Sequence, residues 1–473
     1  KLIMSMTLTS SSSDSNEIYL AAIEGGGTTF VVSVARVIPS GESTTTDDDN
    51  GNKILRIGPK TLQILHTATI PPKNTDTGEI LNLNPTQILE ETCTFLRLHL
   101  PPSGKYSAVG IATFGPAGVD PAQICYGTIL SGSPKKEWRN VDLLTPIAQA
   151  CGLSNDTSKV GFDTDVNAPA LAEFRHRSFE QRLYQKINKP LTSLSYITIG
   201  TGVGVGLILN SQPIHGLLHP EGGHVAIQPL EGDAFQGYSW GTEKSPYGGV
   251  GTVEGVASSV ALTERLLQME NVKGGKGGIE SSNAQTREIL STLPDTHPVW
   301  THASNAIANL CVSLLLLTSC QKIVLGGGIM KRTILYDMVR KRVWTLLNGY
   351  LDSVDELSAV EKLDDVIVES SWEEMGSGLV GAFALALDAH ESSNSVEKND
   401  GEKEEENTMR QLTESSGENV IEEKEKRRKD NDDDEGEQQQ QSFTSGVLAG
   451  IGLSFGCVLL SSLLGQGRRR RGQ

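Results

Sequence analysis

Residues 196–224, YITIGTGVGVGLILNSQPIHGLLHPEGGH, constrain the fold of this chain more than any other stretch. An apolar, β-branched run at 196–199 meets the turn Gly200-Thr201-Gly202-Val203-Gly204-Val205-Gly206, and a second apolar run, 207–209, stops at Asn210-Ser211. That pattern is strand, tight turn, strand. Glycine lets the backbone approach a bulky anion, and successive N–H groups in such a turn make an anion nest. Glu221 and His224 follow on a second Gly-rich turn, which sets a hydroxyl-binding pair a short chain distance from a phosphate cradle. The device recurs upstream, where IYLAAIEGGGTTFVVSVARV surrounds Gly25-Gly26-Gly27-Thr28-Thr29. Both a P-loop and a dinucleotide fingerprint need a helix after the glycines. Here β-branched Val31, Val32 and Val34 follow, which disfavours both.

Strands and helices alternate through the rest of the chain. Periodicity predicts further strands at 63–70, 107–114, 160–162, 322–325 and 366–369. It predicts helices over 84–98, from near Asp142, over 253–269, 299–318 and 333–348, and from Gly376 to near Ala389. The acidic, polar stretch 39–53 reads as a hairpin tip. The apolar helix 299–318 is too polar at its start to span a membrane. Glycine turns close several strands, which points to an α/β protein binding its ligands where strands end, in a cleft between two lobes. Asp165, in DTDVNAPALAE, sits where a strand ends and a helix begins, while Asp120 and Asp163 read as turn and cap residues.

The chain has 473 residues, length for about three average domains. Its net charge of −17 argues against a nucleic-acid partner, which requires clustered Lys and Arg. The six cysteines are scattered without a CxxC pair and read as reduced, buried thiols. No run near the first residue is apolar enough for a signal-peptide core.

With these residues in place, the chain resembles the ROK-type fructokinases (repressor, open reading frame, kinase) of the actin-like sugar-kinase superfamily, from about Tyr19 to Leu387. Six segments carry the resemblance, in order. Glu24-Gly25-Gly26-Gly27-Thr28 is similar to a first phosphate hairpin and Asp163-Thr164-Asp165-Val166-Asn167 to a catalytic segment. Gly200-Thr201-Gly202-Val203-Gly204 is similar to a second phosphate hairpin, and His219-Pro220-Glu221-Gly222-Gly223-His224 to a sugar and zinc segment. Val253-Glu254-Gly255 is similar to a second sugar segment, and Gly326-Gly327-Gly328-Ile329-Met330 to an adenosine-side turn. The resemblance implies a two-lobed actin-like ATPase (ribonuclease H-like) fold and ATP- and Mg²⁺-dependent phosphorylation of a hexose, fructose at its 6-hydroxyl first. Glucokinase or mannokinase activity and a non-catalytic sugar sensor remain as alternatives, and homodimers are implied by the resemblance only. Asp165 would be the general base, with Asn167, Glu221, His224 and Glu254 on sugar hydroxyls. Gly25, Gly26, Gly27, Thr28, Thr201, Gly202, Gly327 and Gly328 would hold ATP and its phosphates.

Two departures bear on the site. Thr29 stands where a Lys is common. Relatives place Cys and His zinc ligands between the sugar segment and the second Glu, but this chain has neither there; Ser245, Gly248 and Thr252 stand near those positions. Structural zinc is therefore expected to be absent, with the loop held by Tyr238, Trp240 and Tyr247. The expected organisation is an unstructured start (1–16), a small lobe (17–162), a large lobe (163–372) and a helix returning to the small lobe (373–390). An acidic disordered linker (391–441) follows, since low-complexity charged sequence without aromatics cannot bury enough apolar surface to fold. Segment 442–467 reads as a membrane anchor: its uncharged run of about 22 residues spans ~33 Å as a helix. Gly446, Gly450 and Gly452, Gly456 suit helix packing there. With the basic end 468–473, this predicts a cytosol-facing protein tail-anchored to an organelle membrane: mitochondrial, peroxisomal or plastid outer membrane.

Overall fold

A computed structural model of the chain describes residues 17–26, 29–39, 51, 53–72, 81–184, 190–238, 246–269, 283–352, 359–372 and 375–394. The first residues, most of the linker, the anchor and the basic end lie outside them.

The alternating and β-branched runs form two sheets. The first comprises β1 (Tyr19–Gly25), β2 (Phe30–Ile38), β3 (Ile54–Ile57), β4 (Lys60–Ile70), β5 (Ala108–Thr113) and β6 (Val160–Thr164), in the order β3-β4-β2-β1-β5-β6. The second comprises β7 (Leu194–Ile199), β8 (Val203–Leu209), β9 (Gln212–Pro213), β10 (Lys322–Gly326) and β11 (Ile367–Glu369), in the order β11-β10-β7-β8-β9. One scheme builds both. A glycine hairpin (β1–β2 or β7–β8) gains two parallel strands on one side and antiparallel pairing on the other, two strands (β4, β3) in the first sheet and one (β9) in the second.

The helices are α1 (Pro85–Leu98), α2 (Leu144–Ala150), α3 (Asn167–Tyr184), α4 (Val253–Ala257), α5 (Ser259–Met269), α6 (Asn283–Thr292), α7 (Val299–Thr318), α8 (Ile334–Leu347), α9 (Leu363–Val366) and α10 (377–394). Strand alternation sorts the side chains into three cores. Ala21 and Ile23 of β1 and Val109 and Ile111 of β5 pack with α1 and α2 on the outer face of the first sheet. Leu20, Ala22, Ala108 and Ala112 face the other way and share a core with α3, α10, and Leu194, Tyr196 and Val324 of the second sheet. Ile197, Ile199, Ile323 and Leu325 face α4, α5, α7 and α8. The middle core is tight: a Cβ at Gly110 would lie 1.8 Å from the Ala382 carbonyl oxygen of α10. Phe383, Leu387 and Val380 of α10 are buried in it, each contributing ~1.5–3 kcal/mol by burial.

The apolar helix α7 is a core element, with Trp300, Ile307, Leu310 and Cys311 buried against α8 and the second sheet. Three sequence expectations need correction. The helix expected over 253–269 is broken at Ser258, which adopts extended backbone (ψ 154) and whose Oγ accepts the Ala261 N–H at 3.3 Å. The break lets the Ser259 N–H reach the Gly200 carbonyl at 2.8 Å. A lobe boundary at 163 falls inside β6, which pairs with β5 through Thr164. The first residues of the expected linker, 391–394, are instead the end of α10, where Glu391 pairs with Arg175 of α3 at 2.7 Å.

Candidate active site

Asp165, between the end of β6 and the start of α3, lies at the floor of a cleft of about 860 Å³. Its walls include Glu24 from β1, Thr198 to Thr201 from the β7–β8 hairpin, Gly326 to Thr333 after β10, and Gly376 to Gly378 at the start of α10. Asp165 stands at the floor, its N–H donating to the Thr113 carbonyl at 2.7 Å. Burial raises its carboxyl pKa to about 7, the nearby Glu24 and Glu221 add to the rise, and Lys135 opposes it. Glu24 is also held above the usual carboxylate range by burial, partly offset by a hydrogen bond from the Leu379 backbone. It is clasped by α10: a Cβ at Gly378 would lie 2.2 Å from Glu24 Oε1.

The second hairpin turns through three residues between Ile199 and Val203, closed by Gly200 N–H to the Gly202 carbonyl at 2.9 Å. Glu254, in the first turn of α4, accepts the Val203 N–H on Oε2 at 3.0 Å and abuts Gly202. Thr252 caps that helix, its Oγ1 accepting the Gly255 N–H at 3.0 Å. The 219–224 loop packs on β8 through Gly223, where a Cβ would meet the Val203 carbonyl oxygen at 1.9 Å. Glu221 then lies 3.9 Å from His224 and 3.6 Å from His219. Partial desolvation raises the Glu221 pKa, His219 and His224 oppose this, and Glu254 adds to it. Glu221, His224 and Glu254 are thus gathered beside the hairpin tip.

On the far wall, Gly327 takes a positive φ of 90° to pass under Ile199, and Gly328 follows at the cleft surface. Arg332 lies 4.3 Å over the Trp300 ring, pairs with Asp295 and donates to the Leu290 carbonyl at 3.1 Å. Gly25 ends β1, and the Gly26 N–H bonds the Thr29 carbonyl across the first turn at 2.9 Å. Gly27 and Thr28 lie outside the described residues.

Asn167, expected on a sugar hydroxyl, is not among the residues that line the cleft. It is fully buried: its Oδ1 accepts the Leu207 N–H at 3.1 Å, and its Nδ2 donates to Asp163 at 3.1 Å and the Ile214 carbonyl at 3.4 Å. Those bonds use both amide hydrogens and one oxygen lone pair, which makes Asn167 a brace between α3 and β8. Asp163 is likewise no mere cap. It is 2 % exposed, accepts the Thr164 N–H at 2.7 Å and pairs with His215 Nε2 at 2.8 Å.

Of the aromatic support expected for the 238–252 loop, Tyr247 is turned out to solvent. Tyr247 is 70 % exposed at φ 53°, and Trp240 and Ser245 lie outside the described residues. The stretch before α5 is instead fixed by Asp233, which takes both Arg265 guanidinium nitrogens at 2.8 and 2.9 Å and His302 Nδ1 at 3.1 Å. The donor set does not fit a four-coordinate zinc, since Gly248 has no ligand atom and the Thr252 hydroxyl is committed to its cap.

Sequence reasoning missed four contributors. Glu24 was visible as the acid before the first glycines, but nothing local marks it as a cleft wall. Lys135 sits in a polar loop without a motif. His219 accepts the Ala117 N–H on Nε2 at 3.1 Å and thereby ties the sugar loop to the turn after β5, a contact across 102 positions of sequence. Arg332 follows a glycine turn that gives no hint of Trp300.

Comparison with known proteins agrees with this geometry. The ROK family profile matches residues 63–389. The chain is 31% identical over 311 residues to a fructokinase of Zymomonas mobilis, covering 64% of this chain and 86% of that one. It is 30% identical over 367 residues to a fructokinase of Streptococcus mutans, covering 77% of this chain and 96% of that one. A glucokinase from Balamuthia mandrillaris in complex with glucose superposes with a TM-score of 0.50 at 14% identity, over 79% of this chain and 95% of that one, a likeness of fold alone.

Proposed function

Because the chain belongs to the ROK family, we propose that it transfers the γ-phosphoryl group of ATP to a hexose, with the 6-hydroxyl of fructose as acceptor and Asp165 as general base. Its duplicated sheets and intervening cleft are the two-lobed actin-like kinase fold. The observation that carries the reading is Asp165 itself. It is a carboxylate without a salt-bridge partner among the described residues, set on the cleft floor with a pKa of about 7. A base matched to neutral pH can take a hydroxyl proton as the phosphoryl group arrives, an effect worth roughly 10²- to 10⁴-fold. Glu221, His224 and Glu254 would hold the sugar hydroxyls, and the backbone at Gly25, Gly26, Thr201 and Gly202 the phosphates. Gly327 and Gly328 would flank the adenosine side. Glu24, on the wall of the cleft, is the carboxylate that would complete the shell of a phosphate-bound Mg²⁺. When bound, Mg·ATP supplies the phosphoryl group and neutralises its charge.

Fructose is favoured because the fructokinases above are among the relatives at 30% identity and more. A coupled ADP-release assay with fructose, glucose, mannose and N-acetylmannosamine tests this. The highest kcat/KM is expected with fructose. Preference for another hexose would move the specificity, and no turnover on any sugar would overturn the enzyme reading. We further propose that segment 442–467 tethers the enzyme to a membrane, on its length and lack of charge. Deleting residues after Gln441 should move the protein from the membrane to the soluble fraction; a full-length protein soluble without detergent would refute it.

A further inference from the structure

His219 is not one of the three side chains assigned to the sugar, and its imidazole is 3 % exposed beside a Glu221 side chain that is 45 % exposed. Its two ring nitrogens face different parts of the molecule. Nε2 accepts the Ala117 N–H at 3.1 Å, which leaves Nδ1 as the donor. Nδ1 lies 3.3 Å from the Pro220 carbonyl oxygen and 3.6 Å from Glu221 Oε1. The ring also packs on Gly115, where a Cβ would lie 2.9 Å from its Cε1 atom. Ala117 is a fixed anchor for it. Ala117 is fully buried and bridges Ile129, and its neighbours are bonded on both sides, the Pro116 carbonyl to the Leu130 N–H at 2.8 Å and the Gly118 N–H to the Thr128 carbonyl at 2.9 Å. The same turn begins at Phe114, whose N–H donates to the Gly25 carbonyl of the first glycine hairpin at 3.0 Å.

The other end of the 219–224 loop belongs to the second hairpin. A Cβ at Gly222 would lie 2.5 Å from Val205 Cγ2, and one at Gly223 would lie 1.9 Å from the Val203 carbonyl oxygen, so both glycines press on β8. Glu221 therefore sits in a span pinned at one end to the first hairpin, through His219 and the Ala117 turn, and at the other to the second. Its Oε1 lies toward His219 and its Oε2 toward His224, at 3.6 and 3.9 Å. An exposed glutamate samples several rotamers, and a neighbour that fixes its aim removes part of the cost of ordering it on binding. His219 is too enclosed to touch a ligand itself, so its influence on the cleft passes through Glu221.

We propose that His219 is a positioning residue of the sugar site, which aims the Glu221 carboxylate at the acceptor and takes its own place from the turn bonded to the first glycine hairpin. The inference rests on Glu221 being a sugar ligand, as proposed above. Phosphoryl transfer needs donor and acceptor oxygens in line, and a small misplacement of either is costly. The phosphates would lie on the hairpins and the hexose on Glu221. A ring tied by one nitrogen to the turn beside Gly25 and directed by the other at Glu221 keeps the hexose in register with the phosphates.

A double-mutant cycle separates a positioning histidine from one that only packs. His219→Gln can accept the Ala117 N–H from the Nε2 position but places no donor at Nδ1. Equilibrium binding of fructose, glucose and mannose, measured without nucleotide, should weaken by ~5- to 20-fold in His219→Gln, a coupling usual for residues in contact. Added to Glu221→Ala, the same change should cost less than about twofold, because the group it aims is already gone. ADP binding should stay within about twofold of the parent throughout, and KM for the hexose should rise more than kcat falls. Where a variant binds sugar too weakly to titrate, kcat/KM for the hexose carries the same cycle. Equal losses with and without Glu221 would overturn the proposal, as would hexose binding unchanged in His219→Gln. If His219→Gln lacks a cooperative melting transition, His219→Phe, which keeps a ring against Gly115 and removes both nitrogens, makes the same comparison. A parent protein that binds none of the three sugars would instead remove the sugar-kinase reading, and this proposal with it.

Discussion

Asp163 and Asp165 are two residues apart, and the end of β6 delivers them to different regions. Asp163 enters the seam between α3 and the second sheet, where Thr164, Asn167 and His215 supply donors at 2.7, 3.1 and 2.8 Å. Asp165 turns to the cleft floor, where its neighbours Glu24 and Glu221 are acids and its pKa is pushed up to about 7. Strand alternation cannot separate them, because positions two apart share a face. The separation comes from the strand ending at Thr164, one residue before Asp165. One carboxylate is spent on holding the lobe together, and the other is left unsatisfied where a substrate would arrive.

The largest expected effect tests that division directly. Asp165→Asn keeps the shape but cannot accept a proton, so kcat should fall by ~10²- to 10⁴-fold with the melting curve still cooperative. Turnover within threefold of the parent would remove Asp165 from the mechanism. Asp163→Ala should do the reverse. It strips Thr164, Asn167 and His215 of their acceptor, and breaking such a buried pair costs ~3–5 kcal/mol. Urea unfolding would show this as a lower midpoint, and a loss below about 1 kcal/mol would mean the seam does not depend on Asp163.

A subtler contrast appears in the pH dependence of stability. An unfolded aspartate titrates near 3.9, whereas Asp165 titrates at about 7 in the fold. Between those values the native state binds more protons, so this residue makes the protein less stable as pH rises from about 4 to about 7. Asn cannot ionise. Asp165→Asn should therefore be neutral at pH 4 and stabilising by ~1–3 kcal/mol at pH 8, the inactive variant melting higher than the active one. Equal melting temperatures at pH 8 would show that Asp165 carries little of the burial assigned to it.

The same two regions explain what the sequence revealed. Both glycine hairpins were legible because turn chemistry is local: Gly200 to Gly206 must form a close turn wherever the fold places it. Glu221, His224 and Glu254 were legible as a group because their segments frame that hairpin. Asn167 misled because DTDVN reads as one functional string, while its asparagine points along the seam to Leu207, 40 positions away. His215 was invisible for the same reason, its partner lying 52 positions upstream. Lys135 lies over Phe114, which packs on Trp138 and through it on Phe30, rings from the end of β5, a loop and β2 that no window of sequence contains. The break at Ser258 was hidden by continuous helical periodicity on both sides; a hydrogen bond from Ser259 to Gly200 decides it.

The smallest effect sharpens the comparison from the seam side. His215 is 34 % exposed, so its link to Asp163 is partly screened by solvent. The hydrogen bond to Asp163 raises the His215 pKa, the charges of Asp163 and Asp120 add to the rise, and burial opposes it. A histidine so raised stabilises the fold fully below its unfolded pKa near 6.5. The gain disappears as pH climbs through the higher folded value. His215→Gln should therefore lower stability by ~1 kcal/mol or less at pH 5.5 and by almost nothing at pH 9, the opposite pH trend from Asp165→Asn. If the loss were the same at both pH values, the imidazole would act by packing alone, and Asp163 would be held by Thr164 and Asn167 without a charged partner.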